Sequence, residues 1–443
     1  MAASGEVVEL LQQLIRNRCV NDGTAGSGHE AASVETLRSY LGRGGLDLDT
    51  YEALPGRESL VARIEGSDPT APTLLLMGHT DVVPVNEDGW QRDPFGGELV
   101  EGEVWGRGAV DMLNLTASMA VAFRHLAGTG FRPRGSLVYL AVADEEALGT
   151  HGAAFLTTRH PDAVRADYVI TESGGIPIPT PGGLRLPVIV GEKGAFWCRI
   201  VVTGTPGHAS QPLRTDNALV KAAEVVKRID AYRPQARIEE SWRRFVAALG
   251  LPPDIAGALV DPARVMEVCE SLPMLGLARQ AHACTHTTFA PTIMHGGTKT
   301  NVIPDRVELE VDIRTLPGQT AGDVRAMLEE ALGDLAGSVQ IESLADDPAS
   351  TSPADTPLWD SISRVVSGFY PDSEVVPFFM VGATDARFFR RLGATSYGFG
   401  LFSQRMSFEQ YSSMFHGDDE RVDVESLELS VGLWEALAQD FLS

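Results

Sequence analysis

The chain has 443 residues, 44% of them hydrophobic, with 36 Lys and Arg against 60 Asp and Glu and a formal net charge of −24. So acidic a chain repels nucleic acid and anionic lipid surfaces, which argues against both as partners. Its length exceeds what one hydrophobic core usually serves, so two domains are expected, and no run is apolar enough for long enough to span a bilayer.

The opening stretch, MAASGEVVELLQQLIRNRCV, reads as an amphipathic helix without the apolar core of a signal peptide. Cys19, Cys198, Cys269 and Cys284 are too scattered for a disulfide framework or a paired-thiol metal site, so reduced thiols in a cytoplasmic protein are expected. From Val7 to about Glu192, strands (LVARIEG, TLLLMGHTDVV, GSLVYLAVADEE, DYVITE) alternate with helical periodicity (MLNLTASMAVAFRHLAGTG). That rhythm predicts an α/β sheet with helices on both faces.

After VGEKG the pattern changes. AFWCRIVVTGTPG predicts a strand, and TDNALVKAAEVVKRIDAY a helix capped by Thr215 or Asp216. HTTFAPTIMHGG and DRVELEVDIRTL predict strands, TAGDVRAMLEEALGD a helix and GSVQIESL a strand. The order β-α-β-β-α-β is the ferredoxin-like one. Residues 237–282 interrupt it with a helical insert carrying Trp242, Phe245, Val246 and Leu249, a turn at Pro252-Pro253, then Val265, Met266, Val268 and Leu272. Its amphipathic stripe predicts one buried face, packed on the small domain or on a second subunit; the sharper alternative is the wall of a substrate pocket. The first rhythm returns with TPLWDSISRVVSGFY. Residues 1–192 and 348–443 therefore read as one α/β domain, with 193–347 inserted in it.

Acidic and imidazole residues gather where strands of the first domain end: His79 and Asp81 after Leu74–Met77, Asp111 in GRGAVDM, Asp144, Glu145 and Glu146 after LVYLAVA, and Glu172 in ITES. His416 in SSMFHGDDE joins them late in the chain. Singly, each has a plain explanation: a satisfied polar His, a helix N-cap at Asp111, a solvated acid pair. Collectively they lie where open α/β sheets bind ligands, and three carboxylates ending a core strand repel one another without a cation.

GHTDVVPV, Trp90 with Asp93 to Phe95, GRGAVDM, DEE, ITES, GTPGHAS, TKTNVIP, DIRTLPG, GATDAR and the late His416 resemble, in this order, the motifs of the dinuclear zinc aminoacylase and carboxypeptidase family. That family includes acetylornithine deacetylase, succinyl-diaminopimelate desuccinylase, glutamate carboxypeptidase and aminoacylase. The resemblance implies a zinc-peptidase-like α/β catalytic domain with an inserted ferredoxin-like α+β lid and dimerisation domain. It implies that His79 and Glu172 hold one zinc, Glu146 and His416 the other, and Asp111 both, with Asp81 hydrogen-bonded to His79. Two Zn²⁺ against three ligand carboxylates leave one positive charge, which suits a bridging hydroxide; Co²⁺ or Mn²⁺ are possible substitutes. Glu145 would be the general base. His208 would donate to the oxyanion from a neighbouring subunit of a homodimer. Asn301 and Arg314 would bind substrate, Arg314 by its carboxylate, and Gly382 and Thr384 would lie on the substrate-side loop. Two departures stand out: Ala383 replaces a usual glycine in GATDAR, and the acidic loop reads DEEALGT, where many relatives place Gly sooner. The leading expectation is hydrolysis of an N-acyl amino acid; a dipeptidase or carboxypeptidase is the alternative. A silent metal-holding protein is a third reading, against which the retained Glu145 argues.

Overall fold

Unbroken apolar runs form the centre of a ten-stranded sheet in the computed structural model, which describes residues 2–443. Leu74–His79 and Leu137–Val142 are buried along their whole length and pair in parallel. Tyr168–Thr171 continues the parallel set beside Leu74–His79, followed by Thr395–Gly398. A strand buried on both faces has no polar side to show, which is why these segments carry no alternation. Helices Ala2–Arg16, Leu113–Gly128 and Val424–Phe441 pack together on one face, and Ala153–Arg159 and Ala386–Arg391 cover the other. Thr395–Gly398 lies between Tyr168–Thr171 and Gly183–Glu192, so the first and last parts of the chain share one sheet.

The second sheet is antiparallel, in the order Thr288–Gly296, Arg306–Thr315, Gly194–Thr203, Val339–Asp347. Alternating burial along Arg306–Thr315 turns one face toward helices Ala218–Ala231 and Ala321–Leu332, which contribute Ala222, Val225, Ile229, Val324, Leu328 and Leu332 to its core. The cap of the first helix is Asn217, whose side chain accepts from the Leu219 N–H, rather than Thr215 or Asp216.

The insert folds as helices Glu240–Ala248, Pro253–Leu259, Val265–Ser271 and Leu275–Thr285. The first part of its stripe turns to the large sheet rather than to the small domain. Trp242, Phe245 and Val246 pack on Ile189, Val376, Phe378 and Phe379 of the large sheet, with Phe245 and Phe378 ring centroids 4.5 Å apart. The reason lies in Ser373–Met380, where Val375 through Phe379 are buried on both faces and need cover on both. This packing consumes Trp242 and Phe245, which are 2% and 4% exposed, so neither walls an open pocket.

The chain crosses between the sheets at 192–194 and again at 347–350. The crossings run side by side, with Glu192 opposite Ser350 and Ala195 opposite Asp347. Among the described residues no helix is long and apolar enough to cross a membrane.

Candidate metal centre

His79 closes the strand Leu74–His79, and its Nδ1–H donates to the Asp81 main-chain carbonyl at 2.9 Å. A carbonyl only accepts, so Nδ1 carries the hydrogen and Nε2 is left as the ring's donor atom. The expected link between His79 and Asp81 therefore runs through backbone. The Asp81 carboxylate, 3.7 Å from Nδ1, instead accepts from Asn21 Nδ2 (2.9 Å) and from the N–H groups of Glu145 (3.3 Å) and Glu146 (3.1 Å). It holds the turn that carries both glutamates.

That turn starts at Asp144 with φ of 70°. Asp144 is buried and takes hydrogen bonds from Asn21 (3.2 Å), the His151 N–H (2.7 Å) and Arg57 Nη2 (2.5 Å), while Arg57 also pairs with buried Glu30. Asn21, Glu30 and Arg57 had no motif to announce them; a buried Arg needs two buried acids, and only the fold brings these together.

Asp111 is neither a strand end nor a helix cap. It sits on the loop before Leu113–Gly128, whose cap position is Met112. Glu420 holds this loop, accepting from Arg107 Nη1 (2.9 Å) and from the N–H groups of Gly108 (2.9 Å), Val110 (2.6 Å) and Asp111 (2.9 Å). Glu420 follows His416 by one helical-turn length of chain, so a single carboxylate fastens the segment bearing His416 to the loop bearing Asp111.

The result is a two-sided arrangement around Asp111. Its Oδ1 lies 3.3 Å from His79 Nε2, and His79 lies 3.9 Å from Glu172 Oε2. Its Oδ2 lies 3.3 Å from His416 Nε2, which is 3.2 Å from Glu146 Oε2. Donor atoms of His79, Asp111 and Glu146 lie within 4.8 Å of one another, as do those of His79, Glu145 and Glu172. Glu146 Oε1 is buried without a partner.

This density of charge distorts every titration in it. Burial raises Glu172 well above the usual carboxylate range, and Glu145 and Asp111 add to the rise. Burial likewise raises Glu145, opposed by His79 and reinforced by Asp385, Glu146 and Asp111. Burial would raise Asp111 too, but hydrogen bonds from His416 and His79 overcome it and hold this carboxyl low. Bonds to Asp111 and Glu146 push His416 up to about 10. An anionic cluster that loads protons onto its imidazoles has the negative charge and donor set that divalent cations satisfy, with proton release on binding.

The remaining expected residues lie apart from this cluster. His208 is exposed on the short strand Gly207–His208, which pairs with Val302–Ile303; the Asn301 carbonyl beside it accepts from the Ala209 N–H. Arg314 pairs with Asp312 through Nε (2.7 Å) and Nη2 (3.0 Å) and stacks on Trp197. Among the described residues no contact joins His208, Asn301 or Arg314 to the acidic cluster. Gly382 is half-buried on its loop. Thr384 is buried, its N–H and hydroxyl both donate to Glu192, and the hydroxyl oxygen accepts from the Ala386 N–H. A threonine so fully used holds the loop in place.

Residues 75–440 match the model of peptidase family M20/M25/M40. Human aminoacylase-1 is 29% identical over 422 residues, covering 94% of this chain and 90% of that protein. The human N-fatty-acyl-amino acid synthase/hydrolase PM20D1 is 28% identical over 386 residues, covering 83% and 74%. Among solved structures, the M20 family metallo-carboxypeptidase Sso-CP2 from Sulfolobus solfataricus superposes with a TM-score of 0.74 at 19% identity, covering 98% of this chain and 99% of that one. Human carnosine dipeptidase 1 follows at 0.69 and 15%, covering 100% and 97%. With its α/β domain, its inserted antiparallel sheet and its paired acid and imidazole groups, the chain belongs to peptidase family M20/M25/M40.

Proposed function

We propose that this metal-dependent hydrolase cleaves the amide bond of N-acyl amino acids, using two zinc ions and Glu145 as general base. One observation carries the reading. Asp111 turns one oxygen to the His79 and Glu172 side and the other to the His416 and Glu146 side, and Glu145 is the carboxylate left over. The ions, when bound by these five residues, would polarise a carbonyl and lower the pKa of a water. Glu145 takes a proton from the attacking water and passes it to the leaving amine. Burial raises its carboxyl above the usual carboxylate range, which strengthens it as a base. Arg314 Nη1 has no partner among the described residues, which leaves an edge of the guanidinium for a substrate carboxylate. The names of the two human relatives favour an N-acyl amino acid over a peptide.

A panel of N-acetyl, N-hexanoyl and N-decanoyl amino acids and dipeptides, assayed with zinc, cobalt and manganese, tests this. We expect kcat/KM for the acyl amino acids to exceed that for the dipeptides. The reverse order makes the chain a dipeptidase or carboxypeptidase, and no turnover of either class makes it a silent binding protein.

A second copy of the chain completes the site in this reading. Thr288–Gly296 is an edge of its sheet and exposes Ile293 and Met294, while Val220 on the neighbouring helix is 67% exposed. An open edge with apolar side chains invites pairing, and exposed His208 could then serve the partner's centre. Mixing Glu145→Gln with His208→Ala, each inactive alone, is expected to restore activity through hybrid dimers. A mixture as dead as its components rules out sharing across subunits. The four cysteines are all free, which supports the cytoplasmic reading; a periplasmic or secreted location found by fractionation would refute it.

A further inference from the structure

Residues 384–391 touch both crossings between the sheets and the turn that carries Glu145. At the first crossing, Glu192 accepts from the Thr384 hydroxyl at 2.9 Å and pairs with Arg390 at 2.6 Å. At the second, Asp347, the last residue of its strand, pairs with Arg387 at 2.8 Å and with Arg391. From Asp347 the buried Arg387 reaches inward and donates to the Leu148 carbonyl at 2.9 Å and to that of Thr384. Asp385 closes the contact. It is 1% exposed, neither of its oxygens has a hydrogen-bond partner, and a Cβ on Gly149 would lie 2.3 Å from its Oδ1. Gly149 has φ of +66°, and its N–H and that of Leu148 bond back to Asp144 and Glu145, closing the turn.

We propose that residues 384–391 form a strut that transmits the position of the inserted domain to the Glu145 turn, and that Arg387 is its positioning residue. Moving the inserted domain moves Asp347. Asp347 is tied to Arg387, and Arg387 is tied to the carbonyl three residues beyond the base. A buried guanidinium that hydrogen-bonds two carbonyls and is ion-paired through Nε, which has no hydrogen-bond partner of its own, transmits displacement where a flexible ammonium would absorb it. The catalytic consequence rests on Glu145 being the base, as proposed above; the mechanical link does not.

Asp347→Asn removes the charge at the strut's half-buried outer end, which weakens its hold on Arg387 and Arg391, and leaves the bonds of Arg387 to Leu148 and Thr384 intact. Gly149→Ala cuts it from the inner side by driving Asp385 away. Hydrogen exchange followed by mass spectrometry on the zinc-loaded full chain reads the link directly. Both variants are expected to speed exchange in 144–149 by about fivefold or more while leaving 74–79 unchanged. In the N-acyl amino acid assay, kcat should fall about tenfold with KM within about twofold. Unchanged exchange in 144–149 in a folded Asp347→Asn protein overturns the strut, and faster exchange with an unchanged kcat overturns its catalytic consequence. If the wild-type chain turns over neither N-acyl amino acids nor dipeptides, faster exchange still supports the link, and it is the functional reading that falls.

Discussion

Glu145→Gln is expected to lower turnover by about a hundred- to ten-thousand-fold while the protein keeps its fold and its metal. The amide has nearly the shape of the carboxylate, and the turn around it is held by groups the change leaves alone: Asp81 accepts the Glu145 and Glu146 N–H groups, and Asp144 anchors to Arg57 and Asn21. What is lost is the ability to take a proton. Replacing one crowded carboxylate also removes repulsion against Glu172, Glu146 and Asp111, so thermal stability without metal should stay level or rise. Elemental analysis beside steady-state kinetics checks both halves. Near-wild-type turnover excludes Glu145 as the base, and loss of metal makes it a ligand, a role its place in the donor cluster with His79 and Glu172 allows.

The second large effect is expected at Asp111. Asp111→Ala removes the side chain that turns one oxygen to each imidazole at 3.3 Å, so metal should be lost from both positions and activity with it. His416→Ala touches one side only and should cost about half the metal. His416 is exposed and Glu420 still grips the loop, so this variant keeps the architecture around Asp111. Inductively coupled plasma analysis after dialysis against zinc separates the two cases. Equal metal content in both variants and the wild type overturns the assignment of ligands.

The gathering of His79, Asp111, Glu146, Glu172 and His416 was legible in the sequence because short motifs carry it, and the central strands were legible because burial on both faces leaves an unbroken apolar run. The four-stranded inserted sheet showed itself through period-two alternation, as in Arg306–Thr315. What escaped is what depends on distant partners. Glu420 and Asp111 are 309 residues apart, and neither sequence context names the other. Arg57 reads as a surface residue until Glu30 and Asp144 close on it. The stripe of the insert announced a buried face but not its partner, since amphipathicity is the same whatever covers it. Thr215, Asp216 and Asn217 are all good capping residues, and only the local backbone chooses among them. Thr384 carries a motif position but spends its hydrogen bonds on Glu192.

The placement of Thr395–Gly398 between two strands made more than two hundred residues earlier bears on how the molecule is born. A ribosome releases the chain from its first residue onward, and the large sheet stays split while that strand is still to come. The inserted sheet, whose strands all lie between Gly194 and Asp347, can close on its own well before then. Glu420, the clasp on the Asp111 loop, emerges later still, so the acidic cluster stays open and incomplete in the nascent chain until that segment has been made. A product that stops short of His416 would therefore lack both that imidazole and the clasp, and the long-range closure of the final sheet is slow for the same reason of sequence separation.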